Sequence, residues 1–244
     1  MALDFPALDA KNSILLDKMN GLPPISLQNY ERHFDIIYTH ESTAMEGNTL
    51  SLVETKLLLD DKISVGGKQL REIYEIVNHD KAFSYVRQLI EKRRPFDETI
   101  MKNIHEILME NIFPGGIYRN HNVCIVGANH TPPAPAEMYQ QMQFFFADMP
   151  GKKQLHPLEF AAWTHAEFVR VHPFPDGNGR TARMIMNYQL MQATFLPISI
   201  KLDNRERYYK ALDAYAATGL LDDFTALIYD HEQAALDEML AFLG

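Results

Sequence analysis

Apolar residues recur at intervals of three and four along most of the 244-residue chain, the spacing of helices that bury one face. In "NYERHFDIIYTHESTAME" they fall at Tyr30, Phe34, Ile37, Tyr38 and Met45, and the pattern ends at Gly47-Asn48, a helix stop. Ser51 and Glu54 stand at capping-box spacing, which opens a new helix after Ser51. The same period predicts helices over 69–92, 97–110, 135–147, 157–171, 179–193, 204–217 and 222–242, with Pro and Gly clusters between them. The rhythm breaks once. The stretch "VCIVGANHTPPAP" is β-branched and apolar through Val123, Cys124, Ile125 and Val126, turns at Gly127-Ala128-Asn129 and stops at Pro132-Pro133, which predicts a small β-hairpin. The expected fold class is mainly α with that hairpin, divided into an N-terminal segment, 1–50, and a larger domain, 51–244, or built as one continuous domain.

Composition narrows the picture. At 46% hydrophobic residues the chain can bury a sizeable core. A formal net charge of -9 and a pI near 5.5 repel phosphate backbones, so no nucleic-acid partner is expected. The densest basic run, "EKRRP" at 91–95, reads as a helix end meeting Pro95. A single cysteine, Cys124, excludes an intramolecular disulfide and a cysteine-rich zinc site and fits a reducing compartment. The first twenty residues lack the basic start and long apolar core of a secretory leader, and no stretch approaches the ~18 consecutive apolar residues of a membrane span. The expectation is a soluble cytoplasmic protein with no membrane partner.

Chemistry concentrates in "HPFPDGNGRTAR", 172–183. Gly177 and Gly179 permit backbone conformations closed to other residues, and the sequence then runs at helical spacing, so the turn delivers into a helix N-terminus whose free N–H groups form an anion site. Arg180 and Arg183 occupy neighbouring positions on the first turns, where cations oppose the helix dipole. They serve a polyanion better than they serve stability. Asp176 adds a hard oxygen ligand suited to Mg²⁺ shared with phosphates, and His172 could take a proton from a nucleophile near neutral pH. These parts describe transfer of a phosphorus-centred group. A Walker loop and a zincin motif are both absent: "VGGKQL" lacks the spacing, and "HESTA", "HEILM" and "HEQAA" lack a second histidine.

"HPFPDGNGRTAR" resembles the His-x-Phe-x-Asp/Glu-Gly-Asn-Gly-Arg-x-x-Arg signature of the Fic domain family, proteins that mostly transfer AMP from ATP to protein hydroxyls. "GGIYRNHNVCIVGANHTPP" is similar to the family's flap, "EIVNHDKAF" to an upstream core helix and "NRERYYKAL", from Asn204, to its nucleotide-side segment, so that residues 30 to 240 are covered. The resemblance implies a Fic-type helical domain over 51–244 with a β-hairpin flap above the active site. It makes His172 the base and Asp176 the Mg²⁺ ligand, and places Gly177, Asn178, Gly179, Arg180 and Arg183 around the phosphates of ATP. Phe174 would anchor the loop, Asn204 would contact adenine, Tyr208 and Tyr209 would line the nucleotide side, and Val123, Cys124, Ile125 and Val126 would dock the target strand. Glycine at 179, where a kinase-like branch carries lysine, favours AMP transfer over phosphorylation. The implied partner is a protein bearing a Ser, Thr or Tyr hydroxyl, on another molecule or on the chain itself, with homodimerisation left open.

"STAMEGN" is similar to the family's inhibitory Ser/Thr-x-x-x-Glu-Gly/Asn motif. Ser42 and Glu46 lie one helical turn apart and point the same way. The resemblance implies that Glu46 pairs with Arg183, taking the cation that would hold the γ-phosphate. Two other functions stay open on sequence: removal of AMP from modified proteins through Glu46, and an ATP-sensing binding module. A DNA-binding regulator is disfavoured, because no basic recognition helix follows "DDFTALIYDHEQAALDEMLAFL".

Overall fold

A computed structural model describes residues 3–20, 24–125 and 128–244. Ten α-helices are described: α1 (Phe5–Met19), α2 (Pro24–Ala44), α3 (Leu52–Leu59), α4 (Leu70–Glu91), α5 (Glu98–Leu108), α6 (Pro135–Lys152), α7 (Pro157–Val171), α8 (Asn178–Gln192), α9 (Arg205–Thr218) and α10 (Asp222–Leu243). A 3-10 turn, Leu202–Asn204, leads into α9. The central pair is α7 with α8, whose side chains are buried along nearly their whole length. α4 and α5 flank α8, α6, α9 and α10 flank α7, and α2 crosses α3, α4 and α8. A helix apolar on all sides belongs in the centre of a domain, and α8 carries Ala182, Met184, Ile185, Met186 and Leu190 there.

The helices start where their capping chemistry allows. Ser51 and Glu54 form the predicted capping box of α3, and Asp97 accepts the Ile100 N–H to cap α5. The first helix, α1, has too sparse an apolar pattern to be read from sequence. It forms because Leu8 and Leu15 enter the main core, held by Lys11–Asp237 at 2.7 Å and by the Tyr229 hydroxyl donating to Asp4 O at 3.1 Å. Leu8, Leu15 and Met45 thus share one core with residues as distant as Met239.

The expected β-hairpin is not formed. No strand occurs among the described residues, and Val123, Cys124 and Ile125 run as irregular backbone, while Val126 and Gly127 lie outside them. The β-branched run has the propensity for a strand, but a strand needs a ladder, and an isolated two-stranded ribbon is marginal in water. No described helix is long and apolar enough to cross a membrane.

One buried acid gives the fold a pH signature. Glu232 on α10 accepts the Leu196 N–H at 3.0 Å through one oxygen, and its other oxygen has no partner. Burial, opposed by that single hydrogen bond, pushes its pKa up to about 8. A carboxyl raised on folding contributes full stability below its unfolded pKa and loses it as the pH climbs through the folded value. Glu232→Gln, neutral at every pH, is expected to gain on the order of 3 kcal/mol relative to wild type between pH 5 and pH 8. Urea melts of both proteins at the two pH values measure this, and an equal difference at both would show that Glu232 does not titrate in that range.

Candidate active site

The signature residues converge on a cleft of about 910 Å³ between the α7–α8 turn, the segment after Tyr118, and α9. α7 ends at His172, which adopts the left-handed conformation (φ 51°, ψ 60°) and caps the helix by donating its N–H to Phe168 O at 2.9 Å. Its ring Nδ1 lies 3.3 Å from Val169 O. With the proton on Nδ1 donated to that carbonyl, Nε2 keeps its lone pair. Burial, opposed by the Val169 hydrogen bond and reinforced by the nearby Arg119 cation, lowers the imidazole pKa to about 4. His172 is therefore a neutral acceptor at physiological pH.

The turn that follows is built from the inside. Phe174 is fully buried and stacks on His105 of α5, with ring centroids 3.6 Å apart and planes at 6°. The His105 Nδ1 accepts the Gly116 N–H at 2.8 Å, which leaves its Nε2–H to donate to Asp176 O at 2.9 Å. Asn178 lines the cleft, and its side chain clamps the turn. Its Oδ1 accepts the Phe174 N–H at 2.9 Å and its Nδ2 donates to Phe174 O at 2.8 Å. Gly177, at φ 75°, supplies the left-handed N-cap of α8.

At the mouth of α8 the electrostatics are those of an anion site. Arg180 is buried between two carboxylates, with Glu75 at 3.5 Å and Asp176 at 3.3 Å, and its Nε has no hydrogen-bond partner. The Asp176 carboxylate receives Gly177 N–H at 2.5 Å, Arg180 at 3.3 Å and the Arg71 guanidinium. Although burial works to raise it, Arg180, Arg71 and that N–H hold its pKa below the usual value, so it is ionised and available to a hard cation. No cluster of three or more metal-ligating acids, histidines or cysteines occurs among the described residues. A divalent ion here would rest on one carboxylate and substrate oxygens, the arrangement Mg²⁺ accepts.

The end of α2 fills the cradle. The Glu46 carboxylate accepts a hydrogen bond from the Arg183 guanidinium at 2.8 Å, and a methyl group at Gly179 would overlap that carboxylate. Arg183 is 1% exposed and also donates to Ser42 Oγ at 2.9 Å, Ser42 O at 2.7 Å and the Tyr208 hydroxyl at 3.3 Å. Ser42 and Glu46 thus meet the same guanidinium. Tyr208 is buried beside Arg183, donates to His165 Nε2 at 3.0 Å and also lines the cleft, so it both supports the arginine and borders the site. Tyr209 faces the cleft and its hydroxyl donates to Met45 O at 3.3 Å. Asn204 lies off the cleft, its amide 3.4 Å from His231 Nε2. Cys124 and Ile125 form part of the cleft rim, and Val126 lies outside the described residues.

Sequence reasoning missed His105, Arg71, Glu75 and Asn48. Glu75 on α4 accepts from Asn48 at 3.0 Å and from Arg71 at 3.1 Å, joining the Glu46 turn to the Asp176 side of the site. "HEILM", the stretch around His105, carries no signal beyond its failure as a zinc motif.

A histidine, a glycine-rich turn that opens a buried helix and two buried arginines thus meet at one cleft of a helical protein. Residues 95–190 match the Fic/DOC family. The chain is 35% identical over 239 residues to the protein adenylyltransferase Fic of Nematostella vectensis, covering 96% of this chain and 55% of that one. It is 33% identical over 243 residues to that of Aedes aegypti, covering 94% and 48%. Among solved structures, Fic-1 from C. elegans superposes with a TM-score of 0.83 at 27% identity, over 96% of this chain and 70% of that one. A Fic domain-containing signalling protein from Bacteroides thetaiotaomicron shares the fold, with a TM-score of 0.84 at 22% identity, over 98% of this chain and 94% of that one. The chain contains a Fic/DOC domain, matched over residues 95–190. It spans about half the length of the curated relatives it matches.

Proposed function

We propose that the chain is a self-inhibited protein adenylyltransferase that moves AMP from ATP to a Ser, Thr or Tyr hydroxyl of a protein. The observation that carries this reading is the Glu46 carboxylate seated on the α8 N-terminus and bonded to Arg183, inside the same cleft as the neutral His172. A carboxylate there stands in for a phosphate, since both are anions recognised by helix N–H groups and guanidinium. The names of the curated relatives supply the reaction class.

In the reaction, His172 Nε2 accepts the proton of the target hydroxyl as its oxygen attacks the α-phosphorus. The new O–P bond forms as the bond to the β-phosphate oxygen breaks, and pyrophosphate departs. Arg180 and Arg183 hold the phosphate tail, and the α8 N-terminus stabilises charge developing on the phosphoryl oxygens. A Mg²⁺ held by Asp176 and the phosphates would neutralise charge on the leaving pyrophosphate. Glu46 opposes all of this by occupying Arg183 and the cradle, so productive ATP binding requires its displacement.

The donor atom tests the reading. Incubated with ATP labelled in the α-phosphate, the Glu46→Gly protein is expected to retain label, on itself or on an acceptor. With label in the γ-phosphate it is expected to retain none. Retention of γ-label would assign phosphorylation instead and overturn the proposal.

A further inference from the structure

Because the segment over the cleft has no strand pairing among the described residues, its shape must be imposed from outside. Arg119 imposes it. This arginine is 1% exposed, and no acidic group perturbs it; burial is the one influence on its charge. A buried guanidinium without a carboxylate is costly unless its donors are filled. Here they are filled by backbone carbonyls alone. Nε donates to His172 O at 2.8 Å, one terminal nitrogen to His121 O at 3.0 Å, and the other to Pro133 O at 2.5 Å, with Val171 O at 3.5 Å. His172 and Val171 stand at the C-terminal end of α7, where the helix dipole presents negative charge and offsets the missing carboxylate.

These partners lie in three places. His121 and Pro133 are the two feet of the segment, and His172 is the proposed base. One planar fork therefore closes the segment at its base and fastens it to the backbone of the residue that would take the proton. Two further contacts hold the segment's far limb: His130 Nε2 donates to Arg170 O at 2.8 Å, and Asp213 of α9 accepts from the Asn129 side chain at 3.1 Å. The Arg119 backbone N–H adds a bond to Pro173 O at 2.9 Å. His130, Arg170, His172 and Asp213 line the cleft that also holds Glu46 and the start of α8, whereas Arg119 stands behind it and acts on the cleft through the backbone.

We infer that Arg119 is a positioning residue that sets the distance between the target-docking flap and the His172 base. The inference rests on the proposed AMP transfer. It makes a buried arginine, rather than a β-ladder, the element that registers an incoming hydroxyl against its base. Lysine cannot substitute, because an ammonium point charge cannot span three carbonyls in the fixed directions of a guanidinium fork. Misplacement by about 1 Å at such a junction costs on the order of a hundredfold in rate.

The test introduces Arg119→Lys and Arg119→Gln into the Glu46→Gly protein. Three properties are measured: amide hydrogen exchange, ATP affinity by calorimetry, and the rate of self-modification by intact mass. The expected result is faster exchange confined to 120–133 and 172–174, ATP affinity within about twofold, and transfer reduced about tenfold or more. Unchanged exchange in the flap overturns the inference. So does faster exchange spread through α1 and α10, which would make Arg119 a general stabiliser. If Arg119→Gln does not fold, Arg119→Lys, which keeps the charge, carries the same comparison. A Glu46→Gly parent that transfers no AMP would defeat the proposed function, while the exchange pattern would still decide whether Arg119 clamps the flap to His172.

Discussion

Replacing Glu46 with glycine is expected to raise AMP incorporation by about a hundredfold or more over wild type. The physical reason is the position of one carboxylate. In wild type it holds a charge-assisted hydrogen bond of 2.8 Å to Arg183 and lies against Gly179, on the ground that ATP phosphates need. A charge-assisted bond of this kind contributes about 2–3 kcal/mol, and ATP must displace it before binding productively; that energy corresponds to a population shift of roughly 30- to 150-fold. Removing the carboxylate lifts the electrostatic and the steric block together. Arg183 keeps Ser42 and Tyr208 as partners, so the guanidinium remains placed for a phosphate. Glu46→Gln separates the two effects: it keeps the bulk, loses the charge, and is expected to fall between wild type and Glu46→Gly. Intact mass spectrometry after incubation with ATP and Mg²⁺ reads the outcome. Equal incorporation by wild type and Glu46→Gly, with every acceptor tried, would remove Glu46 from the regulation of this site.

The second large effect belongs to His172. In the Glu46→Gly protein, His172→Ala is expected to reduce transfer by about 10²- to 10⁴-fold, the range for loss of a general base. ATP affinity is expected to change little, because the cradle is made by α8 and its arginines. His172 is held for this task by the left-handed cap of α7 and by the Val169 carbonyl, which fixes the proton on Nδ1. Its lowered pKa, about 4, also predicts that transfer stays level from pH 6 to pH 8 and declines only as the pH falls toward 5 and below, where the imidazole begins to protonate. A rate that halves near pH 6.5 would show a solvated imidazole, contrary to the burial seen here. Transfer that survives His172→Ala would require another base, and the reading of the cleft would fail.

Much of this arrangement is visible in the chain. Nine helices announce themselves through apolar spacing and caps, and the Ser51–Glu54 box forms as read. The cluster from His172 to Arg183 shows that a base, a carboxylate, glycines and cations share one turn, because their spacing is local and their chemistry unusual. Ser42 and Glu46 are legible as a pair because they too are close in sequence, although α2 ends at Ala44 and Glu46 stands in the turn that follows it. Other features were illegible because they depend on residues far apart. α1 has little pattern of its own and is held by α10, more than two hundred residues away. The run Val123 to Val126 has strand propensity, yet Val123 to Ile125 form no strand, and Arg119 bonds the carbonyls of His121 and Pro133 on either side. Asn178 also clasps the turn through its side chain, and Tyr208 also supports Arg183, roles that only the packed structure reveals.

The sequence by itself determined that this protein is helical, that it carries a compact anion-and-base motif, and that a glutamate stands one turn after a serine near its start. These are properties of neighbouring residues, set by the 3.6-residue period and by side-chain chemistry. Only the tertiary structure decided that Glu46 reaches Arg183 across 137 positions of chain, that His105 stacks beneath Phe174, and that Arg119 fastens the flap to His172. Such contacts arise when packing brings distant helices together, because a buried polar group is costly unless it finds a partner.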